Sequence, residues 1–267
     1  QLRNLASSQN PTNQAVYEQI SSRMDMDNFI DYLLVNIYAG SQDWPHNNWR
    51  SGRERAPTGK FRFYVWDAEW SFGYNNTPSH NTIANELAGT SEIPTLYKRL
   101  RLSSEFRLRF ADQAHKHFFN GGALTTEGAR GRNETIETQV FSSISGFNNT
   151  MSPSGIAQPR RYVTNHMATA GLLLSSNAPL FSVLPGRIAR NVPLALSALE
   201  GEIWFTTNGV DPRVPFTGAV HPQAQRYASP LSMAESTLSK ARTRWSTNWS
   251  ALSEGAYQFE QLGTPIR

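Results

Sequence analysis

Between Asp43 and Gly73 the sequence gathers carboxylates and amides at positions where loops could converge on a ligand. Asp43, His46 and Asn48 lie in Ser41-Gln42-Asp43-Trp44-Pro45-His46-Asn47-Asn48, and Asp67 and Glu69 lie in Trp66-Asp67-Ala68-Glu69-Trp70-Ser71-Phe72-Gly73. Carboxylate and amide oxygens are the donors that a hard divalent cation takes. Phosphoryl transfer uses such a set: one Asp to receive a hydroxyl proton, and an Asn and a second Asp to hold Mg2+ against the phosphates. The same residue types also build turns, because Asn and Asp side chains bond their own backbone, so spacing alone leaves that reading open. His46 could contact a phosphate or close the loop. Lys60 and Lys98 read as solvated charges, one at a turn and one near a helix.

The elements around this stretch must bring it together. Asp25 can cap a helix with an inner stripe of Phe29, Ile30, Leu33, Leu34 and Ile37, and Gly40 can end it in a left-handed turn, delivering Asp43 directly after the helix. Next comes a hairpin pattern: Asn48-Trp49-Arg50, a polar turn at Ala56-Pro57-Thr58-Gly59, then Phe61, Phe63 and Val65 alternating with Arg62, Tyr64 and Trp66. A hairpin joins its own ends, so Asn48 and Asp67 are expected side by side with Asp43 near them. A second helix fits Ser103 as cap, Phe106, Phe110, Ala114 and Phe118 as its buried face, and Gly121 and Gly122 as its stop. A third follows Thr125 and is expected to bury Ile136, Val140 and Ile144. Ser142 to Arg161 reads as a long loop, and Tyr162 to Leu174 as a closing helix. Composition changes at Ser175-Ser176-Asn177-Ala178-Pro179, which predicts domains at 1–175 and 176–267. In the second, Pro193 to Leu199, Glu202 to Thr207, Pro230 to Met233 and Leu238 to Arg244 read as strands, with Asn208-Gly209 as a tight turn.

Other chemistries find little support. The chain of 267 residues has no cysteine, which removes thiol nucleophiles, thiolate zinc sites and disulfide frameworks together. His46, His80, His115, His117, His166 and His221 lack paired metal-ligand spacing. No Gly-x-Ser-x-Gly elbow occurs. The net charge of +4 comes from scattered arginines rather than a basic cluster, so nucleic acid is not the expected partner. No apolar run approaches the roughly 20 residues of a membrane span. The start at Gln1, with no initiator methionine or signal peptide, reads as a piece of a longer protein.

The Asp43-to-Asn48 step equals that of the H-R-D-x-x-x-x-N loop of protein kinases, and Asp67 follows its hairpin much as D-F-G follows theirs; Ser41 and Gln42 replace the His and Arg. Asp31-Tyr32-Leu33-Leu34-Val35-Asn36, Asp43 to Asn48, Gly59-Lys60 and Trp66 to Gly73 resemble the core signature of the CotH family of spore-coat-type atypical protein kinases. The likeness continues through Phe106 to Phe110 and Phe118 to Thr125, a pattern common in CotH-like modules of large bacterial surface proteins. The resemblance implies a mainly helical kinase-like C-terminal lobe in which Asp43 matches the catalytic-loop Asp, Asn48 and Asp67 the metal ligands, and Glu69 a supporting acid. It further implies ATP as cosubstrate, Mg2+ or Mn2+, a protein acceptor with Ser or Thr, and a nucleotide-holding lobe expected ahead of Gln1.

Gly201 to Arg213, Tyr227 to Pro230, Lys240-Ala241-Arg242 and Trp249-Ser250-Ala251-Leu252 are similar to the Ig-like domain at the C-terminus of chitobiase and β-hexosaminidase. That resemblance implies a small all-β sandwich and an extracytoplasmic, secreted or surface setting. Trp204 and Trp249 could stack on a cell-surface polysaccharide or simply fill the core. The expectation is thus a multidomain α+β chain: part of a secreted kinase, or alternatively a non-catalytic kinase-like scaffold in a surface adhesin or polysaccharide-binding protein.

Overall fold

The computed structural model describes residues 2–74, 77, 79–141, 153–173, 178–189, 192–233 and 235–259. The chain is mixed α and β and divides into two compact units, Gln1–Leu173 and Leu174–Arg267. The first contains helices α1 (Leu2–Ser8), α2 (Gln14–Ser21) and α3 (Met26–Ala39), a hairpin of β1 (Trp49–Gly52) and β2 (Arg62–Val65), and α4 (Thr82–Asn85) with a 3-10 turn at Glu86–Ala88. Helices α5 (Glu92–Leu100), α6 (Ser104–Phe118), α7 (Thr126–Phe141) and α8 (Pro153–Thr169) follow.

α3 organises this unit. The Asp25 carboxylate accepts from the Asn28 N–H at its start, and Gly40, at φ 64°, closes its end. Phe29, Ile30, Leu33, Leu34 and Ile37 are all buried, and Tyr32 and Tyr38 are buried too, so the helix is enclosed rather than one-sided. Its polar positions are matched from α6: Arg109 Nε donates to Asp27 Oδ1 at 2.6 Å, and His117 Nε2 lies 2.9 Å from Asp31 Oδ1. Burial works to raise the Asp27 carboxyl, but the Arg109 hydrogen bond and charge hold it below the ordinary value. α6 is capped by Ser103 and buries Phe106, Phe110, Ala114 and Phe118 as the spacing predicts. Each fully buried Phe contributes roughly 1.5–3 kcal/mol.

Asn28 clips the hairpin to α3. Its Oδ1 accepts from the Phe63 N–H at 2.6 Å and its Nδ2 donates to the Phe63 carbonyl at 3.3 Å. The chain just before α3 adds two backbone bonds, Asp25 N–H to Phe61 O at 2.9 Å and Phe61 N–H to Arg23 O at 2.8 Å. Within β2 the expected burial holds at Phe63, while Val65 is exposed.

Two expectations for the later helices of this unit need correction. Ile136 is 58% exposed, and α7 shows no buried face among its described side chains. Ile144 and residues 142–152 lie outside the described residues. The loop expected up to Arg161 gives way to helix from Pro153, where proline's fixed φ suits a first turn; Gly155 and Pro159 disguise this stretch as loop. The composition change at 175–177 also lies outside the described residues.

Among its described residues the regular structure of the second unit is all β. β3 (Leu180–Phe181) pairs with β5 (Leu196–Ser197), while β4 (Gly186–Ile188), β6 (Glu202–Thr206), β7 (Gln225–Arg226), β8 (Thr237–Trp245), β9 (Asn248–Trp249) and β10 (Ser253–Phe259) form the larger sheet. Its order is β4-β10-β8-β6-β7, with β9 paired to β8; β4 runs parallel to its neighbour β10, and the other pairs are antiparallel. Leu196, Phe205 and Ala241 form one buried cluster with Phe181 against it, so the two-stranded ladder packs on the larger sheet. The strand expected at Pro230 to Met233 is reduced to a bridge between Leu231 and Leu194, and Asn208-Gly209 ends β6 without forming a two-residue hairpin.

Arg242 is the buried ion of this unit. Its Nε and Nη2 donate to the two oxygens of Asp211 at 2.8 and 2.7 Å, and its Nη1 donates to the Ser250 carbonyl at 2.8 Å. Burial acts to raise the Asp211 carboxyl; the fork from Arg242 outweighs it and holds the group low.

Candidate active site

Two loops meet where α3 ends and the hairpin opens. Gly40 turns the chain off α3, and Trp44, 2% exposed, anchors the following loop by donating its indole N–H to the Tyr32 hydroxyl. The segment after β2 is tied to the same place: Gln42 N–H donates to Trp70 O at 3.1 Å and Phe72 N–H to Ala39 O at 2.6 Å. Phe72 packs edge-on against Tyr38, with ring centres 6.1 Å apart. Asn48, Asp67 and Phe72 all have left-handed backbones, with φ of 54°, 51° and 52°. Asn and Asp tolerate that region better than other non-glycine residues, whereas for a bulky residue such as Phe it is unfavourable. The tight meeting of the loops holds it in place.

The result is a cavity of about 10 Å3 lined by Asp43, Asn48 and Asp67 together with Asn36, Ser41 and the indoles around them. That is room for roughly one water-sized particle. Asn48 Nδ2 donates to Asp43 Oδ2 at 2.9 Å, which fixes the amide and leaves its oxygen as the atom able to serve a cation. The other Asp43 oxygen lies 3.3 Å from Asn47 Nδ2 and 3.1 Å from His46 Nε2. Asp67 has no ion pair among the described residues. One carboxylate and one amide oxygen fit Mg2+ or Mn2+, which keep several waters and take their other ligands from phosphate. Among the described residues no group of three or more His, Cys, Asp or Glu stands ready as a metal cage.

Asp43, Asn48 and Asp67 therefore share one cleft, and His46 borders it while itself exposed. Glu69 is exposed and does not line the cavity. Lys98 is not a free cation: its ammonium donates to the Ala88 and Gly89 carbonyls at 3.1 and 2.6 Å. Lys60 lines a larger concavity of about 620 Å3, shared with Arg53 and Arg62 towards the hairpin's turn and separate from the cleft. In the second unit Trp249 is 8% exposed and donates its N–H to Gly218 O at 2.8 Å, the placement of a core ring and not of an open sugar platform. Trp204 is half-buried on β6. Residues not singled out from sequence but present in the cleft are Asn36, Ser41, Trp66 and Trp70; Ser41 had stood only as a replacement for a kinase-loop His.

Residues 2–127 match the family model described as CotH kinase protein, a stretch that contains the whole cleft and none of the second unit. Neither a curated protein nor a solved structure matches the chain.

Proposed function

We propose that the first unit is the acceptor-side lobe of a CotH-type atypical kinase, moving the γ-phosphoryl group of ATP to a Ser or Thr hydroxyl of a protein. The observation that carries this reading is the convergence of Asp43, Asn48 and Asp67 on one ion-sized cavity within the stretch similar to CotH kinase proteins. Asp43, its carboxylate held by Asn48, orients the acceptor hydroxyl and takes its proton as that oxygen bonds to phosphorus and the bond to the ADP oxygen breaks. Asn48 and Asp67 supply oxygen ligands to Mg2+ or Mn2+, which when bound neutralises charge on the phosphates. The cleft is too small to hold a nucleotide by itself, so the rest of the ATP site comes from a further lobe of the parent protein. The second unit is read as an Ig-like module of the chitobiase C-terminal type, and the parent as an extracytoplasmic surface protein.

The test is transfer of labelled phosphate from ATP by the parent protein beside its Asp67→Ala variant, with Mg2+ or Mn2+. Label on the protein or on a Ser-rich acceptor, lost in the folded variant, is the expected result. No transfer by either, with no metal-dependent ATP binding, leaves the kinase-like unit as a scaffold.

A further inference from the structure

Ser41 carries a hydroxyl that the fold does not use. It is the first residue beyond the Gly40 cap, and its backbone is already fixed by its N–H donating to Asn36 O at 3.1 Å. Ser41 is 4% exposed, and its Oγ has no hydrogen-bond partner among the described residues. Buried hydroxyls are nearly always paired, so an unpaired one beside reactive groups calls for a reason. It lines the same cavity as Asp43, Asn48 and Asp67. Both asparagine amides of the lining already donate within the fold: Asn36 Nδ2 to Tyr32 O at 2.9 Å, and Asn48 Nδ2 to Asp43 at 2.9 Å.

We infer that Ser41 is a positioning residue whose hydroxyl bonds a water in the shell of the divalent cation held by Asn48 and Asp67. The inference rests on the proposed metal site and adds a group to it. The chemistry is consistent: Mg2+ and Mn2+ sites of this kind keep bound waters, and a hydroxyl is both donor and acceptor. Because Ser41 Oγ makes no bond within the described chain, its removal should cost the metal-free fold nothing while weakening the cation site. Losing an outer-shell partner typically lowers metal affinity by 10- to 100-fold.

The experiment is Mn2+ binding by the 267-residue chain, read from the paramagnetic resonance signal of free Mn2+, for the unsubstituted protein, Ser41→Ala and Asp67→Ala. Thermal midpoints of the metal-free proteins are measured in parallel. Expected are binding by the unsubstituted chain, loss of binding in Asp67→Ala, and about tenfold weaker binding in Ser41→Ala with its midpoint unchanged or raised. Unaltered affinity in Ser41→Ala, with loss in Asp67→Ala, overturns the role of Ser41 and leaves the metal site standing. A lowered midpoint in metal-free Ser41→Ala assigns the hydroxyl to the fold and overturns the inference as well. No binding by the unsubstituted chain, or undiminished binding by Asp67→Ala, overturns the metal site and the inference together.

Discussion

The left-handed backbone at Asn48 separates two roles that one substitution would confuse. At φ 54° an Ala in its place adds roughly 1–2 kcal/mol of strain that a Gly avoids. Both lose the amide that holds Asp43 and faces the cavity. Chemical denaturation should find Asn48→Gly more stable than Asn48→Ala by about 1–2 kcal/mol, while phosphate transfer by the parent protein is abolished equally in the two. Activity that tracked stability would assign Asn48 to the loop's shape alone. The meeting of Asp43, Asn48 and Asp67 was legible in the sequence because a hairpin must return to its own base. Ser41 was not, because whether a hydroxyl is paired depends on neighbours from distant segments, here the loops on either side of the hairpin.

Among the elements, the hairpin matters most, because its docking on α3 decides where Asn48 and Asp67 stand. Asn28 makes both side-chain bonds to Phe63. Asn28→Ala leaves a partly buried strand N–H without its acceptor, which costs about 1–3 kcal/mol. A denaturation midpoint lowered accordingly, with amide exchange quickened in β1 and β2 ahead of α6, is the expected outcome. Uniform exchange across the unit would show that Phe63 and its ring contacts hold the hairpin without help. α3 could be delimited from sequence by Asp25 and Gly40, since caps are local signals. The Asn28 clip could not, because a lone Asn in a first helical turn looks like any solvated polar residue. α8 was hidden by Gly155 and Pro159, whose poor helix propensity makes its first turns read as loop.

On the scale of the whole molecule, two units with separate cores place acid sensitivity in separate ion pairs. Asp211 is held low in unit 2 by Arg242, and Asp27 is held low in unit 1 by Arg109. A carboxyl with its folded pKa below the unfolded value contributes stability above about pH 4, and that contribution fades as pH falls through the folded value. Asp211→Ala strands the guanidinium of Arg242, 2% exposed, and should lower the stability of unit 2 by about 3 kcal/mol near neutrality. The loss should shrink on acidification, when Asp211 of the unsubstituted chain takes up its proton. Calorimetry from pH 7 to 3 checks both the size and the sign; a variant as stable as the parent at pH 7 would show that the pair contributes nothing net. The strands β6 and β8 were readable from alternation, whereas β10 was missed because Ser253-Glu254-Gly255 opens it with the residues of a turn. That strand, latest of those described, lies inside the sheet, between β8 and β4, and β4 has no other partner strand among the described residues. A polypeptide made or exported from its N-terminus must therefore wait: until residues 253–259 emerge, β4 is unpaired and one border of β8 is open to any passing chain. The seconds of synthesis between those strands are the interval in which this unit is most exposed to mispairing, and in which a chaperone would have its effect.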